Sequence, residues 1–242
     1  MMPPNSNRPL GFAGGLPPAG RTTRALCVTL FVVSLVGSLT QRSFGLGVAD
    51  LSFQVGALLN LEVWRLLTYP FVESSPWNLL LSILFLWLFG GWFESRWGTR
   101  DFFRFFMIAS VGAGVLAVPL CMLINLALPF RDLGLAEGPG AALDAMLVAM
   151  ALTSPDSNVL FGFVLPMRAR TVVLVVLGIQ LVIGIQTGSA VLSITLGGMA
   201  MGYLLVTGNW RPKRWLARWR SARLRAPRRG LYVVPPRGRT LH

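Results

Sequence analysis

The stretch Trp64-Arg65-Leu66-Leu67-Thr68-Tyr69 decides the fold, together with Leu88-Phe89-Gly90-Gly91 and Glu94-Ser95-Arg96-Trp97-Gly98 further along the chain. The first stretch lies in a long connection, Gln41 to Pro76, whose apolar runs are too short to cross a bilayer. Tryptophan is typical of the membrane–water interface. We therefore expect this connection to lie partly submerged in the interface, between helices that cross the membrane.

The composition indicates an integral membrane protein. The 242-residue chain is 54% hydrophobic and 13% charged, and its mean hydropathy is +0.62. A soluble domain carries roughly 25% charged residues. The length fits one membrane domain with short tails and argues against two domains. Cys27 and Cys121 lie in apolar runs, so we interpret them as small buried hydrophobic residues and not as a disulfide, a metal site or a nucleophile.

Three parts follow from the hydropathy pattern: a polar N-terminal tail over residues 1–23, a membrane domain over 24–207 and an arginine-rich C-terminal tail over 208–242. A crossing helix needs about 20 largely apolar residues, and fewer when it is buried in a bundle. We predict an all-α, polytopic membrane protein with six transmembrane helices. Their predicted bounds are Arg24–Thr40, Trp77–Phe93, Phe102–Leu128, Gly140–Thr153, Thr171–Gln186 and Ala190–Val206.

Arginine placement predicts the orientation of these helices. When both termini are cytoplasmic, the outside loops hold only Arg42, Arg65 and Arg131 of the 22 basic residues. Cytoplasmic loops carry an excess of Lys and Arg, so this arrangement is the favoured one. We place the chain in a bacterial inner membrane with both termini in the cytoplasm.

These motifs resemble the rhomboid family of intramembrane serine proteases. In that family a Trp-Arg pair lies in the half-submerged first loop, and a Glu-x-x-x-Gly element closes the second helix, as Trp64, Arg65, Glu94 and Gly98 would here. The resemblance continues through the link Ser154 to Arg170 and at the start of the sixth helix. The residues that carry it there are Leu196, Gly197, Gly198 and Gly202. The resemblance implies a six-helix rhomboid-like bundle over about residues 24–207.

The catalytic positions that the resemblance implies lack the family's chemistry. The nucleophilic serine falls at Gly140, or at Pro139 with a slip of one residue, and the histidine base falls at Thr195. Glycine cannot attack a carbonyl, and threonine is no base near neutral pH. The sole histidine of the chain is its last residue, His242. Loss of either catalytic group in a serine protease costs on the order of 10⁶ in rate.

The family's oxyanion pair, a His-x-x-x-Asn on the second helix, falls at Asn78 and Ser82. Asn78 can still donate a hydrogen bond, so this part is altered more than erased. A further family histidine in the preceding loop falls at Glu73. We predict no metal and no cofactor.

The retained scaffold and the missing Ser/His dyad lead to our first hypothesis, a pseudoprotease that binds transmembrane segments of client proteins. Inactive rhomboids and derlins suggest client binding, trafficking or quality control. Two alternatives stay open. One is an active serine-type peptidase with relocated groups, for which Ser189 is the candidate, although Ser189 and Ser193 lack a histidine or lysine partner. The other is a structural protein that thins the bilayer, with Trp64-Arg65 as the anchor.

Asp144 is the one ionisable residue well inside a predicted helix, where an unpaired carboxylate costs about 3 kcal/mol. One interpretation is a polar contact in a water-accessible groove that binds clients, formed by Asp144, Asn78 and Pro139. The other interpretation, which we favour, is a hydrogen bond to a Ser or Thr of a neighbouring helix.

Gly198 and Gly202 form a Gly-x-x-x-Gly pattern, which lets helix backbones approach closely, and we expect internal packing more than dimerisation. The tail from Arg211 to Arg229 is basic and contains Trp215 and Trp219. Such a segment is typical of a helix that lies on an anionic membrane surface. The lipid bilayer is therefore the expected partner, and nucleic acid is not.

Overall fold

The computed structural model describes residues 19–44, 47–127, 135–153, 158–161 and 165–208. The predicted N-terminal tail up to residue 18, the link residues Ser154-Pro155 and the C-terminal tail beyond Gly208 lie outside the described residues. Arg131 and His242 lie outside them as well.

The described chain is largely helical, as predicted. The helices are α1 (Arg21–Phe44), α2 (Val48–Leu51), α3 (Val55–Leu59), α4 (Arg65–Thr68), α5 (Pro76–Trp97), α6 (Thr99–Ala127), α7 (Gly140–Thr153), α8 (Ala169–Thr187) and α9 (Ser189–Thr207). A 3-10 turn, Tyr69–Phe71, follows α4 directly. The six helices predicted from hydropathy correspond to α1, α5, α6, α7, α8 and α9.

Four of the described helices are long and apolar enough to cross a membrane: Arg21–Thr40, Pro76–Trp97, Thr99–Ala127 and Ser189–Thr207. The apolar helices Gly140–Thr153 and Val173–Thr187 are shorter. The 14 residues of α7 rise about 21 Å, against a hydrocarbon core of about 30 Å. The protein is therefore polytopic, and the count of six crossings stays a prediction.

A two-stranded antiparallel hairpin between α7 and α8 departs from the all-α prediction. Its strands are β1 (Asn158–Phe161) and β2 (Leu165–Arg168), with Asn158 opposite Arg168 and Phe161 opposite Leu165. Four-residue strands are too short to show an alternating pattern of their own in the sequence.

The first loop is folded around Arg65, which is buried while the side chain of Trp64 is 53% exposed. The guanidinium donates to the Glu62 carboxylate at 2.6 Å, to the Ala49 carbonyl at 2.7 Å and to the Ser52 carbonyl at 3.1 Å. Arg65 therefore fastens α2 to the segment that precedes α4, and it leaves Trp64 facing outward.

Glu94 joins the ends of three helices. Its carboxylate accepts hydrogen bonds from the Thr22 and Thr23 backbone amides at 3.0 and 2.9 Å and from the Thr23 hydroxyl at 2.7 Å. A fourth bond comes from the Thr99 hydroxyl at 2.9 Å. The first N–H groups of a helix lack partners within that helix. Glu94, near the end of α5, therefore caps the start of α1 and holds the start of α6.

Gly98, four residues after Glu94, ends α5. Its φ of +83° is a conformation that side chains disfavour, and its N–H donates to the Glu94 carbonyl at 2.9 Å. The Glu-x-x-x-Gly element thus stops one helix and lets the next begin with Thr99.

Glycines of α9 bring it into backbone contact with α6 and α7. A Cβ atom built at Gly198 would lie 2.5 Å from the Ala141 carbonyl oxygen, and one at Gly202 would lie 2.6 Å from that of Ala145. A Cβ at Gly197 would meet the Ala113 carbonyl oxygen of α6 at 2.6 Å. The Gly-x-x-x-Gly pattern is thus used for packing within the bundle.

Candidate functional site

The segment that enters α7 is hydrogen-bonded to the first loop. Phe53 and Ala136 exchange backbone hydrogen bonds of 2.8 and 3.1 Å, and the Gly138 N–H donates to the Tyr69 carbonyl at 2.9 Å. The Tyr69 hydroxyl in turn donates to the Ser110 carbonyl of α6 at 2.7 Å. The start of α7 is therefore held in place by buried backbone groups.

Gly138 leaves room for a buried carboxylate. Its φ is +84°, and a Cβ at this position would collide with the Glu73 carboxylate and lie 3.9 Å from the Ser82 hydroxyl. The Glu73 side chain is only 6% exposed, and its backbone N–H donates to the Ser34 hydroxyl of α1 at 3.0 Å. Glu73 thus lies over the N-terminal end of α7.

Glu137 supplies a second carboxylate at the same place. It accepts hydrogen bonds from the backbone N–H and the hydroxyl of Ser74, and from the Ser52 hydroxyl at 3.3 Å. Among the described residues neither Glu73 nor Glu137 forms an ion pair. We call this group of Glu73, Glu137, Ser74 and Asn78 the carboxylate mouth.

Burial, together with the negative charge of Glu137, raises the pKa of Glu73 to about 7, although a hydrogen bond from the Asn78 side chain opposes the shift. Since this pKa lies above the ordinary carboxyl value of 4.5, the folded protein binds the proton more tightly than the unfolded chain does. The stabilising contribution of Glu73 is complete below about pH 4.5 and is lost as the pH rises through 7.

Raising the pH from 5 to 8 should lower the free energy of unfolding by about 2 kcal/mol through Glu73 alone. The variant Glu73→Gln should lose this dependence and be the more stable protein at pH 8. Thermal unfolding in detergent at both pH values measures the effect, with Glu62→Gln as a matched carboxylate control. An unchanged pH slope in Glu73→Gln would contradict the assignment.

The two positions that the rhomboid resemblance assigns to the catalytic dyad lie at this end of the bundle. Gly140 is the first residue of α7, and a Cβ built there meets no atom within 4 Å. Thr195 is buried in α9. Because Gly198 and Gly202 contact Ala141 and Ala145, the two helices run parallel, and equal steps along them set Thr195 level with residue 138.

The other predicted site residues are divided between two places. Asn78 is exposed at the start of α5 and contributes its amide to Glu73, and Ser82 lies one turn further along beside Gly138. Pro139 is buried, and its carbonyl accepts the first α7 hydrogen bond from Leu143 at 3.0 Å. Asn78 thus belongs to the carboxylate mouth, and Ser82 and Pro139 lie next to it.

Asp144 lies one turn deeper in α7, where it is 1% exposed. Its partner is the Gln180 amide of α8, which donates to it over 3.5 Å, and not the Ser or Thr that we predicted. The described hydrogen bonds of the Asp144 side chain do not join it to Asn78 or Pro139, so the client groove stays a prediction.

Ser189 has a partner unsuited to catalysis. Its hydroxyl accepts a hydrogen bond from the Cys121 thiol at 3.3 Å, while the Ser193 hydroxyl donates to the Ala190 carbonyl at 2.9 Å. A thiol that donates its proton cannot act as the base for a serine. The described residues also contain no group of three His, Cys, Asp or Glu side chains that could hold a metal ion.

Sequence reasoning missed Glu137 and Gln180. It singled out Glu73 only as the position of a family histidine. Glu137 follows Leu133-Gly134-Leu135-Ala136 and Gln180 interrupts an apolar helix, so each carried a weak signal as an isolated polar residue. The partners lie 63 and 36 residues away, and nothing in the local pattern reports such pairs.

The fold defines the class of protein: a polytopic helical membrane protein with a loop-covered polar mouth at one end of its bundle. A family model described as eukaryotic integral membrane protein (DUF1751) matches residues 24–206, and the chain belongs to this family.

Two relatives add to this comparison. The chain is 26% identical to transmembrane protein 115 of Bos taurus over 174 residues, which are 70% of this chain and 47% of that protein. It is 30% identical to rhomboid-type serine protease 2 of Saccharomyces cerevisiae over 120 residues, which are 49% of this chain and 42% of that protein. The chain thus spans somewhat under half the length of each relative.

Our placement in a bacterial inner membrane is wrong, because the family is eukaryotic and both relatives come from eukaryotes. Arginine asymmetry reports which loops face the cytoplasm, and the same rule operates in bacterial and eukaryotic membranes. It therefore carries no information on the organism. The multi-pass membrane character stands.

Proposed function

We propose that this protein is a rhomboid-like, six-helix membrane protein without protease activity, and that it binds membrane-spanning segments of client proteins. The proposal rests on the identity of the residues in the layer of the bundle where α7 begins. Gly140 and Thr195 occupy the positions that the rhomboid resemblance assigns to the nucleophile and the base, and the backbone of α7 contacts α9 in the turns that follow. The match to a yeast rhomboid-type serine protease supports the rhomboid-like part.

Open space at Gly140 supports binding without cleavage. The position offers room for a side chain, and the carboxylate mouth above it offers hydrogen-bond acceptors to the exposed backbone of a locally unwound client helix. Gly140 has no hydroxyl, and the Ser74 hydroxyl of the mouth is hydrogen-bonded to the Glu137 carboxylate and not to an imidazole or amine base. The site can therefore hold a segment without attacking it.

Cleavage should be absent when the full chain is reconstituted in liposomes with transmembrane segments that rhomboid proteases cut. We expect product at the level of protein-free liposomes, with an active rhomboid protease as the positive control. Product that rises with the amount of protein and with time would refute the inactive assignment.

Client capture can be measured separately with a photo-crosslinking residue at position 140. A matched control carries the same residue at Leu126, which is 83% exposed on α6. We expect client segments to crosslink from position 140 and not from position 126. Equal crosslinking from both positions would indicate random encounters in the bilayer and would contradict specific binding.

The alternative of relocated catalytic groups predicts that a fluorophosphonate probe labels Ser189. The hydrogen bond from Cys121 argues against labelling.

The alternative of a bilayer-thinning structural protein predicts that Arg65→Ala disturbs membrane insertion more than client capture, because Arg65 holds the loop on which Trp64 is exposed. Client binding predicts the reverse order, measured by protease protection of the loops and by crosslinking from position 140.

A further inference from the structure

Five arginines gather at the end of the bundle opposite the carboxylate mouth. Glu94 brings the starts of α1 and α6 to the end of α5, and the Thr22 hydroxyl donates to the Thr99 carbonyl at 3.3 Å across the junction. The neighbouring turns carry what we call the arginine cluster: Arg21, Arg24, Arg96, Arg100 and Arg104.

All five side chains of the arginine cluster are exposed. Among the described residues, two acidic side chains lie at this end. Asp101 is an exposed partner of Arg104 at a distance of 3.8 Å, and Glu94 is 5% exposed with its oxygens occupied by threonine donors. Exposed pairs of this kind contribute little. The cluster therefore presents a concentrated positive charge.

Several of these guanidinium groups already have defined positions. The Arg24 Nε donates to the Ala19 carbonyl at 2.9 Å, and the Arg96 guanidinium lies 4.5 Å from the centre of the Trp92 ring. Guanidinium forks match the oxygens of phosphate, and planar groups held by contacts lose less entropy on binding.

The position of the arginine cluster in the membrane indicates that the phosphate belongs to a lipid headgroup. α1, α5 and α6 are each long and apolar enough to cross a membrane, so their shared end lies at the level of lipid headgroups. Basic pockets between transmembrane helices bind multiply charged lipid headgroups. We propose that the arginine cluster is a binding site for a lipid headgroup bearing phosphomonoesters, as in a phosphorylated phosphatidylinositol.

The test uses the full chain in nanodiscs of phosphatidylcholine that contain either phosphatidylinositol 4,5-bisphosphate or phosphatidylserine at equal total charge, with bound lipid counted by native mass spectrometry. We expect retention of the phosphorylated lipid to exceed that of phosphatidylserine at least about tenfold, since each arginine contributes a factor of roughly five. Equal retention of the two lipids would show that the cluster attracts anionic lipids without distinguishing between them, and it would overturn the proposal.

Two variants with the same loss of charge locate the site. One replaces four cluster residues, as Arg21→Gln, Arg24→Gln, Arg100→Gln and Arg104→Gln. The other replaces four residues of the C-terminal tail, as Arg218→Gln, Arg220→Gln, Arg223→Gln and Arg225→Gln. We expect the cluster variant to lose the preference for the phosphorylated lipid and the tail variant to keep it. The reverse outcome would place the site in the tail and overturn the proposal.

A lysine variant of the same four cluster residues controls for misfolding as the cause of lost binding. It keeps the positive charge and removes the planar guanidinium group. We expect it to unfold at the same temperature as the parent protein, to bind both lipids, and to lose most of the preference between them. A lysine variant with undiminished preference would show that charge alone suffices and would contradict recognition by guanidinium groups.

Discussion

Replacing Glu94 with glutamine is expected to lower the free energy of unfolding by about 3 kcal/mol, and replacing it with alanine by about 4 kcal/mol. The carboxylate accepts four hydrogen bonds from three threonines, and it is nearly buried. Glutamine keeps one acceptor oxygen, but its NH₂ group would face the N–H and O–H donors of the threonines and could not accept their hydrogen bonds. Alanine leaves the Thr22 and Thr23 N–H groups without a partner at the start of α1.

Unfolding in mixed micelles of dodecyl maltoside and dodecyl sulfate measures this effect. Glu62→Gln is the matched control, because the Glu62 side chain has a single described polar partner, Arg65, and is 30% exposed. We expect a smaller loss there, because glutamine keeps an acceptor oxygen for the Arg65 guanidinium, which also donates to two backbone carbonyls. Similar losses in both variants would show that Glu94 does not organise the three helix ends.

The helices were predictable to within a few residues because apolar runs and their breakers are local features. Pro139 precedes α7 and Gly188 separates α8 from α9, and the predicted bounds Gly140–Thr153 agree with the observed helix. The role of Glu94 was predictable only as a family motif. Its partners Thr22 and Thr23 lie 72 and 71 residues away in the chain, and the hydropathy pattern does not predict contacts over such separations.

The carboxylate mouth shows the limit of motif transfer. Matching positions to a family asks whether a serine or histidine is present, and at Gly140 and Thr195 the answer is no. The same comparison matched Glu73 to a family histidine that is absent here. It gave no information on the environment or the pKa of a glutamate at that position. The environment of Glu73 comes from Asn78 on α5 and from Glu137 and Gly138 just before α7, two segments about 60 residues apart in the chain. Only the folded chain brings them together.

Adding one methyl group at Gly198 is expected to destabilise the protein by about 3 kcal/mol. In Gly198→Ala the new Cβ would lie 2.5 Å from the Ala141 carbonyl oxygen and 2.9 Å from its Cα. Both atoms belong to the backbone of a helix, so no side chain can rotate away and α7 must move as a whole. Overpacking of a core against a rigid neighbour has costs of this size.

Gly178→Ala is the matched control, because the same methyl group in α8 would meet no atom within 4 Å. Alanine is favoured over glycine in helices by up to about 1 kcal/mol, so this variant should be slightly more stable than the parent protein. The two substitutions are chemically identical and should shift the unfolding midpoint in opposite directions. Equal shifts would mean that α7 and α9 are not in backbone contact. Because the same contact holds the start of α7 against α9, Gly198→Ala should also reduce client crosslinking from position 140, while Gly178→Ala should leave it unchanged.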